Sequence, residues 1–282
     1  MIEHRPVVTV ISHLVFFLGV ALIAFPIWIT FVASTHDAVR MTQVPLPLLP
    51  GDQFFVNLKT TLARGLEGSG SPPVSTMLLN SLIMALMIAI GKIAISIISA
   101  FAIVYFRFPF RMGFFWMIFI TLMLPVEVRI LPTFEVVANL GMLNSYWGLS
   151  IPLIASATAT FMFRQVFITI PDELLEAARV DGAGPMRFFI DILVPLSRTN
   201  IAALFVILFI YGWNQYLWPL LITTDTNMYT VVMGIKQMLE AAELSPDWHL
   251  IMMTALLGML PPVLVVILMQ GLFVKGLTET EK

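Results

Sequence analysis

Six long apolar runs dominate the chain, at about 9–33, 77–105, 113–132, 146–168, 200–222 and 249–273. A helix needs about 20 mostly apolar residues to cross the roughly 30 Å hydrocarbon layer of a bilayer, and each run reaches that length. Charged residues are only 11% of the sequence, against about 25% in soluble globular domains. So much apolar surface has no place inside one water-facing skin. The runs are therefore read as spans, and the chain as an all-α integral membrane protein with six transmembrane helices. The first run is longer than the roughly 7–15 apolar residues of a cleaved signal peptide and is read as a retained span.

The third run is the weakest, because Glu127 and Arg129 fall near its end between Pro125 and Pro132. A proline inside a span removes a backbone donor and bends the helix. Pro219 and the Pro261-Pro262 pair interrupt later runs in the same way, as packing kinks or as gates. Orientation follows from Lys and Arg. With the N-terminus inside, nine of them face the cytoplasm and five the exterior, with Lys92 left within a span. The short Tyr105–Arg111 turn carries two Arg and no acid, which favours both termini cytoplasmic. The chain then divides into an N-terminus with the first span (1–33), an external loop (34–75) and a core of five spans (76–282) that includes a cytoplasmic loop at about 169–198. The external loop holds Pro45, Pro47, Pro50-Gly51 and a Gly68–Pro73 linker, with room for one short helix over Phe54–Leu66.

Net charge is −2, which offers nucleic acid no electrostatic footprint. The chain contains no Cys, which excludes a disulfide framework, a thiolate metal site or a Cys nucleophile. His4, His13, His36 and His249 are scattered without metal-binding spacing, so no metal site is expected.

Polar sequence is scarce, and its richest piece lies between the fourth and fifth runs. Pro171 suits a first helical position. Asp172 and Glu173 follow where acids complement the helix dipole, and a helix is expected to about Val180. Asp181-Gly182 then turns the chain. Pro185 opens a second short helix, and Pro195 is expected to stop it. Ala177 and Ala178 leave a flat surface for close approach by another protein, Leu174 and Leu175 an apolar ridge, and Glu176 and Arg179 charges that set register. The alternative is a solvated helix that folds back on its own bundle.

The stretch Glu176-Ala177-Ala178-Arg179-Val180-Asp181-Gly182-Ala183, continuing through Ile190 and Ile192 to Pro195, resembles the EAA loop of ABC importer permeases. Leu78-Leu79-Asn80-Ser81-Leu82 and Gly212-Trp213-Asn214-Gln215-Tyr216-Leu217-Trp218-Pro219-Leu220 resemble the second permease subunit of carbohydrate-type ABC importers. Phe106-Arg107-Phe108-Pro109, Leu124-Pro125-Val126-Glu127-Val128-Arg129-Ile130 and Tyr211-Gly212-Trp213-Asn214-Gln215-Tyr216 look like its glycerol-3-phosphate branch. The resemblance implies the type I ABC importer permease fold in a bacterial inner membrane. It implies a heterodimer with a homologous permease, two copies of a cytoplasmic ATPase, and a periplasmic solute-binding protein. Glu176, Ala177, Ala178, Asp181, Gly182 and Ala183 would couple to the ATPase, which would bind ATP and Mg itself. The chain would hold no cofactor and have no catalytic residues. Its own Gly91-Lys92 fails the P-loop pattern, since position 86 is Leu and position 93 is Ile.

Within the spans, Lys92 stands near the centre of the second, where a Lys costs about 2.5–3.5 kcal/mol on insertion scales. Ser96, Ser99 and Ala100 follow at helical spacing, and Ile90, Ile93, Ile97 and Phe101 are read as the lipid side. Lys92 and Ser96 are candidates to line a translocation path; the alternatives for Lys92 are pairing with a partner's acid, or snorkelling. Arg129 is a candidate phosphate contact, or a local partner of Glu127. Asn214 and Gln215 either line the path or bond between helices. Trp147, Trp213, Trp218 and Trp248 fit an interfacial belt. The substrate implied is sn-glycerol-3-phosphate with related glycerophosphodiesters, the alternative a neutral sugar or oligosaccharide. An ion-driven secondary transporter would show inverted repeats and buried acids, and a membrane hydrolase would need a polar constellation at depth; neither is visible.

Overall fold

The structure, a computed structural model, describes residues 6–64, 71–121, 126–241 and 247–278, without the side chains at 6–7, 126–127 and 273–278. Pro125, the Glu127 side chain and the first half of the linker expected at 68–73 lie outside the described residues. Within them all regular structure is helical. In chain order these helices are α1 (Pro6–Ser34), α2 (Ala38–Met41), α3 (Phe54–Arg64), α4 (Val74–Tyr105), α5 (Arg111–Ile120), α6 (Val126–Asn139), α7 (Tyr146–Ser150) and α8 (Ala157–Ile168). They continue as α9 (Asp172–Val180), α10 (Pro185–Phe188), α11 (Val194–Leu196), α12 (Arg198–Trp213), α13 (Leu217–Ile222), α14 (Val231–Ala241) and α15 (Trp248–Thr278).

Three expected spans are unbroken apolar helices: α1 from Val8, α4, and α15 as far as Leu272. α15 carries Pro261 and Pro262 inside a continuous helix. The other windows are interrupted. The run at 146–168 divides into α7, continued by one 3₁₀ turn over Ile151–Leu153, and α8, with a bend of 52°. Ser156 makes the break. Its backbone is extended, its Oγ accepts from Ala159 N–H at 3.3 Å, and its carbonyl accepts from Ser96 Oγ at 3.2 Å. A side chain thus caps the new helix while a neighbouring span supplies the donor that the kinked backbone needs. The run at 200–222 stops at Trp213 and restarts at Leu217, leaving Asn214–Tyr216 between α12 and α13. The run at 113–132 becomes α5 and then α6, which carries Pro132 in its interior and ends at Asn139.

One compact unit comprises Met1–Ser75 with Gly234–Leu260. Here α1 is exposed along most of its apolar length. The segment after it folds back onto α3, which occupies the start of the helix expected over 54–66. Asn57 Nδ2 donates to the carbonyls of Ser34 at 2.9 Å and His36 at 2.7 Å, and Thr35 Oγ1 accepts from Gly51 N–H at 2.7 Å.

The other unit comprises Thr76–Met233 with Pro261–Lys282 and holds every candidate site. Its core joins Met84 and Ile88 of α4 to Ile130 and Val137 of α6, Leu149 of α7, and Trp218 and Ile222 of α13. Gly212 brings α12 close to α4, since a Cβ there would stand 2.9 Å from Ala85 Cα. Asn80 is a buried amide with its hydrogen-bonding capacity met on both sides. It donates to Asn227 O at 2.7 Å and Tyr229 O at 3.0 Å, and it accepts from the Tyr146 hydroxyl at 2.7 Å. Trp213 and Trp218 are buried rather than interfacial. The Trp218 indole donates to Gly148 O at 3.1 Å, so it serves the bundle rather than a headgroup belt.

Candidate functional site

The polar stretch between the fourth and fifth runs forms a helix, a tight turn and a second helix. Pro171 precedes α9 with an extended ψ of 137° rather than occupying its first turn, and Leu174 N–H reaches its carbonyl at 3.2 Å. At the other end, Gly182 N–H donates to Arg179 O at 3.0 Å and Ala183 N–H donates to Ala178 O at 2.8 Å. Those two bonds, with Gly182 at φ +74°, make a Schellman closure. The spacing of the motif has a physical origin here. Ala178 supplies the last carbonyl to be closed, Gly182 the left-handed residue, and Ala183 the donor beyond it.

The two alanines do not share a surface. Ala177 is exposed, whereas Ala178 is 5% exposed. Neighbours on a helix are turned about 100° from each other, so the flat surface expected of both is reduced to Ala177. Leu174 is 38% exposed, Leu175 is half-buried, and Glu176, Arg179, Asp181 and Gly182 are exposed.

Pro195 does not end the second helix. α10 runs into a widened π-turn over Phe189–Leu193, where Val194 N–H bonds Phe189 O, and then into α11. A π-turn takes up the register that proline's missing donor and bulky ring disturb. The bend comes later, 72° between Pro185–Leu196 and α12. Phe188 is fully buried and anchors the pair to the end of α4. Its ring lies 5.3 Å from that of Tyr105, while Phe189 lies 4.8 Å from Phe101. The Tyr105 hydroxyl donates to Phe167 O at 3.3 Å. Two grooves flank α9. One, of about 460 Å³, is bordered by Phe106, Arg107, Leu175, Arg179 and Phe188. The other, of about 470 Å³, is bordered by Arg107, Arg111, Asp172, Glu176 and Arg179. Arg107 and Arg111 thus stand beside the loop, although in the sequence they pointed only to topology.

The path candidates separate into two groups. Ser96 is fully buried, with its hydroxyl on the Ser156 carbonyl, so it faces protein and ties α4 to the break before α8. The lipid face expected of α4 is corrected in part: Ile90 is exposed as expected, but Ile97 and Phe101 are buried, and Ile95 and Ile98 are exposed in their place. Lys92, by contrast, is 7% exposed, and its Nζ stands 3.8 Å from the centre of the Tyr211 ring. A cation held over an aromatic face is attracted by the ring quadrupole. Gln215 Nε2 donates to Tyr211 O at 3.1 Å, and its side chain interacts with the Tyr211 hydroxyl. Arg129 is exposed on α6, within Coulombic reach of both Lys92 and Tyr211. Asn214 is exposed beside Gln215 at the C-terminus of α12. Three helices therefore bring Lys92, Arg129 and Gln215 around Tyr211. The sequence marked Tyr211 only as the start of a stretch that resembles the glycerol-3-phosphate branch, four residues before Gln215.

Residues 92–279 match the family described as "Binding-protein-dependent transport system inner membrane component". Over all 282 residues the chain is 60% identical to the sn-glycerol-3-phosphate transport system permease protein UgpE of Agrobacterium fabrum and to that of Salmonella typhi, with both chains covered in full. It is 58% identical to the same-named protein of Brucella melitensis, again over the full length of each. Among solved structures it resembles a bacterial ABC transporter involved in the import of the acidic polysaccharide alginate. The TM-score is 0.80 at 19% identity, covering 96% of this chain and 98% of that one. That last likeness is one of fold.

Proposed function

Because this chain belongs to the family of binding-protein-dependent transport system inner membrane components, we propose that it is a transmembrane permease subunit of an ABC importer for sn-glycerol-3-phosphate and related glycerophosphodiesters. The observation that carries the substrate is 60% identity, from end to end, to relatives named for that transport. The subunit pairs with a homologous permease as a heterodimer. A periplasmic binding protein delivers the substrate, and two copies of a cytoplasmic ATPase bind ATP and Mg. The chain itself performs no catalysis and holds no cofactor or metal. Both termini and the 169–198 loop lie on the cytoplasmic side.

In this reading ATP draws the two ATPase subunits together and they displace α9. Glu176, Ala177 and Asp181 meet the ATPase, while Ala178, Gly182 and Ala183 keep the turn closed behind them. The packed rings of Phe188, Tyr105, Phe101 and Phe189 support transmission of that displacement to α4. The cavity then opens toward the binding protein, and after hydrolysis it opens inward. A ligand can drive such a switch only through a difference in affinity between its two states; here ATP supplies it from outside the chain.

The test is uptake by the complex reconstituted with its partner permease, ATPase and binding protein. ATP-dependent accumulation of labelled sn-glycerol-3-phosphate, without accumulation of maltose, is expected. Accumulation of maltose but not of the phosphate ester would overturn the substrate and favour a neutral-sugar permease.

A further inference from the structure

Lys92, Tyr211, Gln215 and Arg129 converge from α4, α12, the break after α12, and α6. Only Tyr211 and Gln215 are near one another in the sequence; Lys92 and Arg129 reach them through the fold. Among the described residues no carboxylate pairs with Lys92 or Arg129, so the cluster is a positive pole set into an apolar bundle. A buried ammonium normally has an acid for a partner. Here it has the face of a tyrosine, a weaker partner that an anion can displace. Gln215 Nε2 donates to the Tyr211 carbonyl at 3.1 Å, holding the break after α12 against the turn that carries the ring. Arg129 stands exposed nearby, with a planar fork suited to phosphate oxygens.

We infer that this cluster is a phosphate-monoester site in the translocation path, with Lys92 and Arg129 as its two charge contacts and Tyr211 as the positioning residue that holds Lys92 ready. The inference rests on the proposed transport of phosphate esters and deepens it. Two fixed cations match the charge of a phosphate monoester, about −1.5 to −2 at pH 7. A phosphodiester carries a single negative charge and leaves one of them unmatched. The site therefore favours passage of sn-glycerol-3-phosphate over glycerophosphodiesters, independently of the affinity of the binding protein.

The experiment compares maximal, ATP-dependent uptake of labelled sn-glycerol-3-phosphate and of glycerophosphocholine by the full reconstituted complex, with the wild-type binding protein saturated by each. Lys92→Met and Arg129→Gln should each lower the monoester rate by about tenfold or more, the scale of one lost charge-assisted hydrogen bond. The same variants should lower the diester rate by about threefold or less. Lys92→Arg should restore monoester uptake, and Tyr211→Phe, which keeps the ring, should discriminate like the wild type while Tyr211→Leu does not. An equal fall for both esters in Lys92→Met and Arg129→Gln overturns the inference and leaves these residues a structural role. Monoester uptake within about twofold of wild type in both variants overturns it as well. Wild-type uptake of neither ester overturns the substrate reading and this site with it, whereas wild-type uptake of both with non-discriminating variants overturns the site alone.

Discussion

Gly182 shows how much one residue without a side chain decides in this chain. Its φ of +74° lies in the left-handed region, and open space surrounds the position where a Cβ would stand. The cost of any substitution is therefore a backbone cost, about 1–2 kcal/mol for an ordinary L-residue and less for Asn, which visits that region readily. Gly182→Val should loosen the two closing bonds to Arg179 and Ala178, and Gly182→Asn should keep them. Uptake and binding-protein-stimulated ATP hydrolysis should fall in the first variant and stay near wild type in the second. Loss in both to the same extent would mean that the turn conformation is not what matters. At this scale the sequence is legible where chemistry is local. The glycine, the acids in the first turn of α9 and the exposed Glu176 stand where their patterns placed them. Ala178 was misread because which way a small side chain faces is decided by what packs against the helix, and the residue does not carry that information itself.

At the scale of elements, the helix pair that holds Gly182 is fastened through Phe188. Truncating a fully buried Phe to Ala costs about 3–5 kcal/mol in a packed core. Phe188→Ala should therefore free α10 from the end of α4, and Phe188→Leu should do so far less. The expected outcome is a complex that still assembles in the membrane but whose ATP hydrolysis responds poorly to loaded binding protein. Copurification of the ATPase together with that stimulation checks it, and full stimulation in Phe188→Ala would remove the aromatic anchor from the account. The unbroken helices α1, α4 and α15 were readable because hydropathy summed over about 20 residues suffices to name them. The breaks at Ser156 and at Asn214–Tyr216 were not. Both fall inside runs of high mean hydropathy, and the break at Ser156 is held by a partner, the Ser96 hydroxyl, that lies 60 residues away in the chain. Pro195 misled for a related reason. A proline announces that the regular pattern fails, but whether the chain stops or widens its turn depends on Phe188 and Phe189 packing beside it.

For the whole molecule, the absence of cysteine offers a clean background for mapping which surfaces face which compartment and which partner. Ala177→Cys and Ala178→Cys sit side by side on α9 but differ in exposure. In inverted membrane vesicles Ala177→Cys should react with a membrane-impermeant maleimide, and Ala178→Cys should react at least about tenfold more slowly, as a buried thiol does. Assembly with the ATPase should protect Ala177→Cys. Labelling of Ala177→Cys from the periplasmic face instead would reverse the orientation of the chain and the coupling scheme with it. The widened turn at Phe189–Leu193 bears on the molecule as a whole in another way. It holds a surplus residue between α10 and the helix that carries Tyr211. The wide turn absorbs that residue within itself, so the segments on either side keep their register. One residue added to a regular stretch of α12 ahead of Tyr211 would instead swing the ring by about 100° about the helix axis, away from Lys92.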